Sequence, residues 1–177
     1  MKSLNYSLLI AVLLLGFQVN TFGQRFSYVD TEYILDNIPE YKSAQRTLDQ
    51  MAEKWKEEIR QKLTDIERLY KAYQAEQVLL PEDIRKKRED EILTKEDQLN
   101  KFKEEKFGAE GELFKKRREL IKPLQDKVFD AIQKLAKDEN LDFIFDKAGA
   151  VTMLYVNAKF DRSDEVLEIL GIQPGNK

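Results

Sequence analysis

From Tyr41 to Val78 the chain carries neither Gly nor Pro, and its apolar residues fall at Leu48, Ala52, Trp55, Ile59, Leu63, Ile66, Tyr70 and Tyr73. The steps between them are three or four residues, the spacing that lines one face of an α-helix. Lys, Glu, Gln, Leu and Ala fill most of the other positions and favour that helix. At 1.5 Å per residue the stretch predicts a rod of about 57 Å. Leu79-Leu80-Pro81-Glu82-Asp83 interrupts it. Pro81 biases Leu80 away from helical geometry and can itself open the next helix. A second helical stretch from Glu82 to about Arg118 nearly matches the first in length. Together they predict an antiparallel αα-hairpin over residues 41–118, with its tip near 78–82.

The second rod is more polar than the first. Its apolar residues, Ile84, Ile92, Leu99, Phe102, Phe107, Leu113 and Phe114, are sparse, and Gly108 and Gly111 each weaken the helix by about 1 kcal/mol relative to Ala. So few knobs cannot lock two rods as a tight coiled coil would. The expectation is a flexible arm, loosest near its tip.

Globular patterns return at both flanks. Arg25 to Asp30 alternates apolar and polar side chains and reads as a short strand. Asp30 is placed to cap a short helix through Asp36, and Pro39 suits the first turn of the next one. After the hairpin, Leu120, Ile121, Leu124, Val128, Ala131, Ile132 and Leu135 form an amphipathic stripe, with Pro123 as a kink or restart. Leu141–Asp146 and Val151–Val156 read as strands about a turn at 147–150, and a last helix from about Ser163 to Leu170 stops at Gly171. The predicted fold class is mostly α with a small β body. The body, residues 24–40 and 119–177, is split by the hairpin arms of 41–118. So small a body has a weak core alone, and oligomerisation is the natural remedy.

The first residues decide the compartment. Lys2, an apolar run from Leu8 to Phe17 and the small Gly23 before Gln24-Arg25 have the form of a secretory signal peptide, residues 1–23. The rival reading, a membrane anchor, needs about 20 apolar residues, and this run breaks at Gln18. The 177 residues include no Cys and no His. That excludes a thioether-anchored lipoprotein, disulfides, and Ser-His or Cys-His nucleophile pairs, and it removes the usual ligands of zinc. Asp138, Glu139 and Asp142 lie close together but lack the Gly and alternating oxygen ligands of a calcium loop. No enzyme activity and no cofactor are expected. Without the signal the chain holds 29 basic and 33 acidic residues. Residues 42–118 carry a net charge of +2 and the flanks −6. A nucleic-acid partner is not expected from so little concentrated positive charge. The middle reads instead as a solvated helix pair of mixed sign.

The opening "FSYVDTEYILDNIPEYKSAQ", the long charged hairpin and the closing "LDFIFDKAGAVTMLYVN…DRSDEVLEIL" resemble, in order and spacing, the Skp/OmpH family of periplasmic chaperones. The resemblance covers essentially all of the chain after the signal. It implies a homotrimer whose small β-rich body carries the hairpins as tentacles. These would enclose unfolded outer-membrane β-barrel proteins in the periplasm, without ATP, metal or a catalytic step. Well-known members are markedly basic. Here the arms are near neutral, so long-range steering of clients should be weaker and apolar contact should matter more.

Candidate client-binding residues on the arms are Trp55, Tyr70, Tyr73, Phe102, Phe107 and Phe114. For Trp55 and Phe102 the plainer reading is that they fill the hairpin seam. Phe107 and Phe114, beside the glycines, are better placed for a client, because a holdase needs exposed apolar surface. Arg85, Lys86, Lys87 and Arg88 could make weak contact with lipopolysaccharide phosphates or a membrane surface, although flanking acids favour a solvated helix face. The alternative function is a structural coiled-coil spacer or scaffold of the cell envelope. Such a ruler should carry a continuous apolar seam, which the second rod lacks.

Overall fold

A computed structural model describes residues 23–149 and 153–174. The elements run β1 (Phe26–Val29), α1 (Thr31–Asp36), α2 (Pro39–Glu76), α3 (Glu82–Phe107), α4 (Glu112–Asp138), β2 (Phe143–Asp146), a 3-10 turn (Ala158–Phe160) and α5 (Ser163–Ile169). The signal reading of residues 1–23 lies, but for Gly23, outside the described residues. Among the described residues no helix is long and apolar enough to cross a membrane.

Local chemistry sets most of these boundaries. Asp30 caps α1 by accepting a hydrogen bond from the Tyr33 N–H at 3.0 Å. Pro39 occupies the first turn of α2, where its missing N–H has no partner to lose. The helix then runs 38 residues to Glu76. Pro81 precedes α3, and its carbonyl accepts from Arg85 N–H at 2.9 Å. Helices α4 and α5 each close on a left-handed residue, Asn140 (φ 52°) and Gly171 (φ 75°). Behind them Leu141 N–H reaches the Ala136 carbonyl and Ile172 N–H that of Leu167, each at 2.9 Å, the helix-ending pattern that satisfies late carbonyls.

The second rod departs from expectation. Instead of one helix to Arg118 there are two, separated at Gly108–Gly111. Both glycines are extended, and a side chain at either would collide with backbone. A Cβ on Gly108 would overlap the Glu104 carbonyl, and one on Gly111 would sit 2.8 Å from Gly108 N. Helix α4 then continues without interruption through Arg118, and Pro123 lies inside it.

Helices α3 and α4 return along α2. Tyr73 of α2 meets Glu89 of α3, Lys62 lies over Phe102, and Trp55 meets Phe107. Nearer the body, Ala44 and Leu48 pack with Ile121 of α4. Positions fall along α2 as they rise along its partners, so the packing is antiparallel. The main core is elsewhere. Val29, Ile34, Leu35, Ile38, Leu124, Val128, Ala131, Leu135, Val166 and Leu167 bury a contact surface between α1, α4, α5 and β1.

Strands β1 and β2 pair in parallel, Phe26 with Phe143 through Val29 with Asp146. Because partners share a face, Phe26, Tyr28, Phe143 and Phe145 lie on one side. Val29 and Ile144 lie on the other and join the core. The Asp146 carboxylate ties β2 to α1 through Thr31 N–H at 3.2 Å and Thr31 Oγ1–H at 2.7 Å. The third strand expected at Val151–Val156 is not found: Met153–Val156 has no strand pairing, and residues 150–152 lie outside the described residues. The second edge of β1 is taken instead by Asp161, bridged to Tyr28, and by Arg162 N–H on the Tyr28 carbonyl at 2.9 Å.

Candidate functional site

The apolar stripe of α2 separates into a seam and a flank. Trp55, 7% exposed, sits in the seam with its ring edge-on to Phe107, centroids 5.9 Å apart. The Lys106 ammonium lies 5.0 Å from the Trp55 ring centroid and 5.7 Å from that of Phe102, and Lys62 lies 5.3 Å from Phe102 on the other side. Thus Trp55, Phe102 and Phe107 come together, joined by two cations. Further out, Lys62 and Ile66 face Gln98 and Leu99, and Leu69 faces Ile92. Half-buried Tyr73 closes the distal seam by donating its hydroxyl to Glu89, and that hydrogen bond is the main cause that holds the Tyr73 pKa above its ordinary value.

Tyr70 is placed differently. It is 49% exposed, as is its neighbour on the same flank, Leu63, at 45%. Phe114, at the start of α4, is 41% exposed and lies under the Arg118 guanidinium at 5.4 Å. Phe107 keeps 36% of its surface exposed despite its contact with Trp55. The six aromatics therefore form a packed group near the glycine break, a seam residue near the tip, and two separate exposed rings.

Charge on the arm is paired locally. Glu53, Glu57 and Glu67 are each held below the usual carboxylate pKa, first by hydrogen bonds from Lys56, Arg60 and Lys71 respectively. Asp97 raises Lys101 in the same way. Within the basic run, Arg85 pairs with Glu82, and Arg88 lies 3.4 Å from Glu91. Lys86 and Lys87 are exposed.

The sequence reading missed the body's outer face. Phe26, Phe143 and Phe145 are 50%, 52% and 42% exposed. Phe26 lies 5.1 Å from Phe160, and a cavity of about 390 Å³ opens among Phe26, Tyr28, Phe145, Met153, Tyr155 and Phe160. The signal was present in the alternation of "FIFD", which sends Phe143 and Phe145 to the face opposite Ile144. Among the described residues no group of His, Cys, Asp and Glu could hold a metal ion.

A long helical arm returning to a small body with one parallel strand pair and an uncovered aromatic face defines the class: a mostly helical protein built around exposed apolar surface. Residues 25–170 match the family described as OmpH, outer membrane protein (OmpH-like), and the chain belongs to that family. An uncharacterised protein of Aquifex aeolicus (strain VF5) is 31% identical over 150 residues, which cover 85% of this chain and 88% of the relative. A crystal structure of a candidate outer membrane chaperone (OmpH-like) from Caulobacter crescentus CB15 superposes with a TM-score of 0.63 at 13% identity, covering 91% of this chain and 95% of that one. At that identity the likeness shows the shared fold.

Proposed function

We propose that the protein is a periplasmic holdase that binds unfolded outer-membrane β-barrel proteins against its helical arms and needs no nucleotide. In this reading it is exported by the signal peptide of residues 1–23 and works as a homotrimer whose arms project from a shared body. The observation that carries the reading is the apolar flank of the arm. Leu63, Tyr70, Phe107 and Phe114 stay between 36% and 49% exposed, and Leu93 on α3 is 60% exposed, on helices rich in charge of mixed sign. Half-exposed rings at intervals along a rod give an unfolded chain many weak footholds and impose no single pose.

Oligomerisation is supported by the aromatic sheet face, which the single chain leaves open. Contact of lipid or lipopolysaccharide phosphates with Arg85, Lys86, Lys87 and Arg88 is weak in this reading, since Arg85 and Arg88 already hold carboxylates.

The test separates apolar from ionic binding. Replacing Tyr70 and Phe114 with Ser is expected to weaken binding of a labelled, denatured β-barrel precursor about tenfold. That corresponds to roughly 55 Å² of further apolar burial lost at about 25 cal/mol per Å². Raising salt from about 50 to about 300 mM should change affinity less, because exposed ion pairs contribute only ~0–1 kcal/mol each. A steep loss with salt and none in the double variant would assign the binding to charge.

A further inference from the structure

The two helices that return along α2 differ from it in one respect: α2 is unbroken over 38 residues, and its partner is interrupted at Gly108–Gly111. A pair of packed helices bends only if their path lengths can differ. With axes about 9 Å apart, a bend of about 20° demands a difference of about 3 Å, the rise of roughly two helical residues. An intact helix curves gently, its solvent-side hydrogen bonds lengthening only slightly, and sharper bends fall where the ladder is interrupted. The glycine break can take up that difference: the ladder of α3 ends with Gly108 N–H on the Glu104 carbonyl, and the tighter bond from Gly111 N–H to the Gly108 carbonyl, also 2.9 Å, bridges the break to α4.

One side chain spans the break. Lys106, in the last turn of α3, pairs with Glu112 in the first turn of α4. Its ammonium also lies over Trp55 of α2 and Phe102 of α3. The Lys106 side chain is 22% exposed, against 40% or more for the other ion-paired cations of α2 and α3. It thus touches all three helices at the point where one of them is cut. Beyond that point the seam is thin: Ile92 and Leu99 are the buried residues of α3. We propose that the arm articulates at Gly108–Gly111 and that Lys106 is the latch that holds its distal part in line. The distal part then swings as a unit, with Trp55 and Phe107 as the surfaces that part. The inference rests on the fold and not on what the arm binds.

The chain's single Trp and absent Cys make the test direct. Cysteines replacing exposed Lys87 near the tip and Lys127 on α4 carry spin labels, and labelled subunits are diluted into unlabelled protein. The unsubstituted latch should give one narrow tip-to-body distance and a Trp55 shielded from acrylamide. In Lys106→Gln the bent population should rise about tenfold, as expected for losing two cation–π contacts and a sheltered ion pair. The distance distribution should broaden and Trp55 quenching should increase. Lys106→Arg should restore both. Glu112→Gln, which leaves the rings untouched, should broaden the distances part of the way. A Lys106→Gln distribution as narrow as that of the parent, even with Trp55 more accessible, would make Lys106 a packing residue and overturn the latch. A parent distribution already broad would do the same.

Discussion

A variant lacking residues 50–110, with Asp49 joined to Gly111 by a short Gly-Ser turn, is expected to stay folded and lose all suppression of client aggregation. The cut falls just beyond the last packing shared by α2 and α4. Ala44, Leu48 and Ile121 remain, with Leu113 and Leu120 against them, and every residue of the main core lies outside the deletion. The buried arm residues Trp55, Ile92 and Leu99 leave together, so none of them leaves a cavity against another. The ion pairs removed within α2 and α3 are exposed and contribute little, and Glu112, which loses Lys106, is itself 46% exposed and can be solvated. Helical signal should fall in proportion to the residues removed, with a cooperative thermal transition retained. Suppression that survived the deletion would move the client surface to the body and remove the arm from the account.

The second large effect is expected at the body. Replacing Phe143 and Phe145 together with Glu should convert the proposed trimer to monomers at micromolar concentration in sedimentation experiments. These rings stack at 6.4 Å on the outer face of β2, while Ile144 between them faces the core. The substitutions therefore spare the subunit's own packing. In a subunit interface each carboxylate would be desolvated without a partner, at about 3–5 kcal/mol. About 4 kcal/mol already weakens association by about a thousandfold. A trimer that persisted in the double variant would show that this face is not where subunits meet.

Much of the fold could be read from periodicity. The 38-residue helix, its turn at Pro81, the Asp30 cap and the final stop at Gly171 each follow from a local rule, and local rules act on neighbours in sequence. The glycine break was visible as weakness but read as loosened helix. What makes it a break is the close approach of Gly108 and Gly111 to backbone atoms, which no propensity scale contains. Of the two readings of Pro123, a kink or a restart, the restart is not found, because packing of Leu124 and Val128 into the core sustains the helix around it. The strand predicted at 151–156 is not formed by its described part, Met153–Val156: alternation shows that a segment fits a sheet, and cannot show that a partner strand receives it. The candidate site was only partly legible. A stripe at three- and four-residue steps cannot say which of its members face the partner helix. Trp55 and Tyr73 turn into the seam and Leu63 and Tyr70 stay on the flank, and that division depends on where α3 crosses α2.

The central claim is that this protein keeps unfolded β-barrel chains soluble by itself, and dilution of a denatured β-barrel precursor, followed by light scattering, tests it most directly. With a slight molar excess of assembled protein and no nucleotide, scattering should stay near the level of buffer alone, while the precursor without it aggregates. Scattering that rose equally in both, or that fell only when ATP was added, would contradict the account.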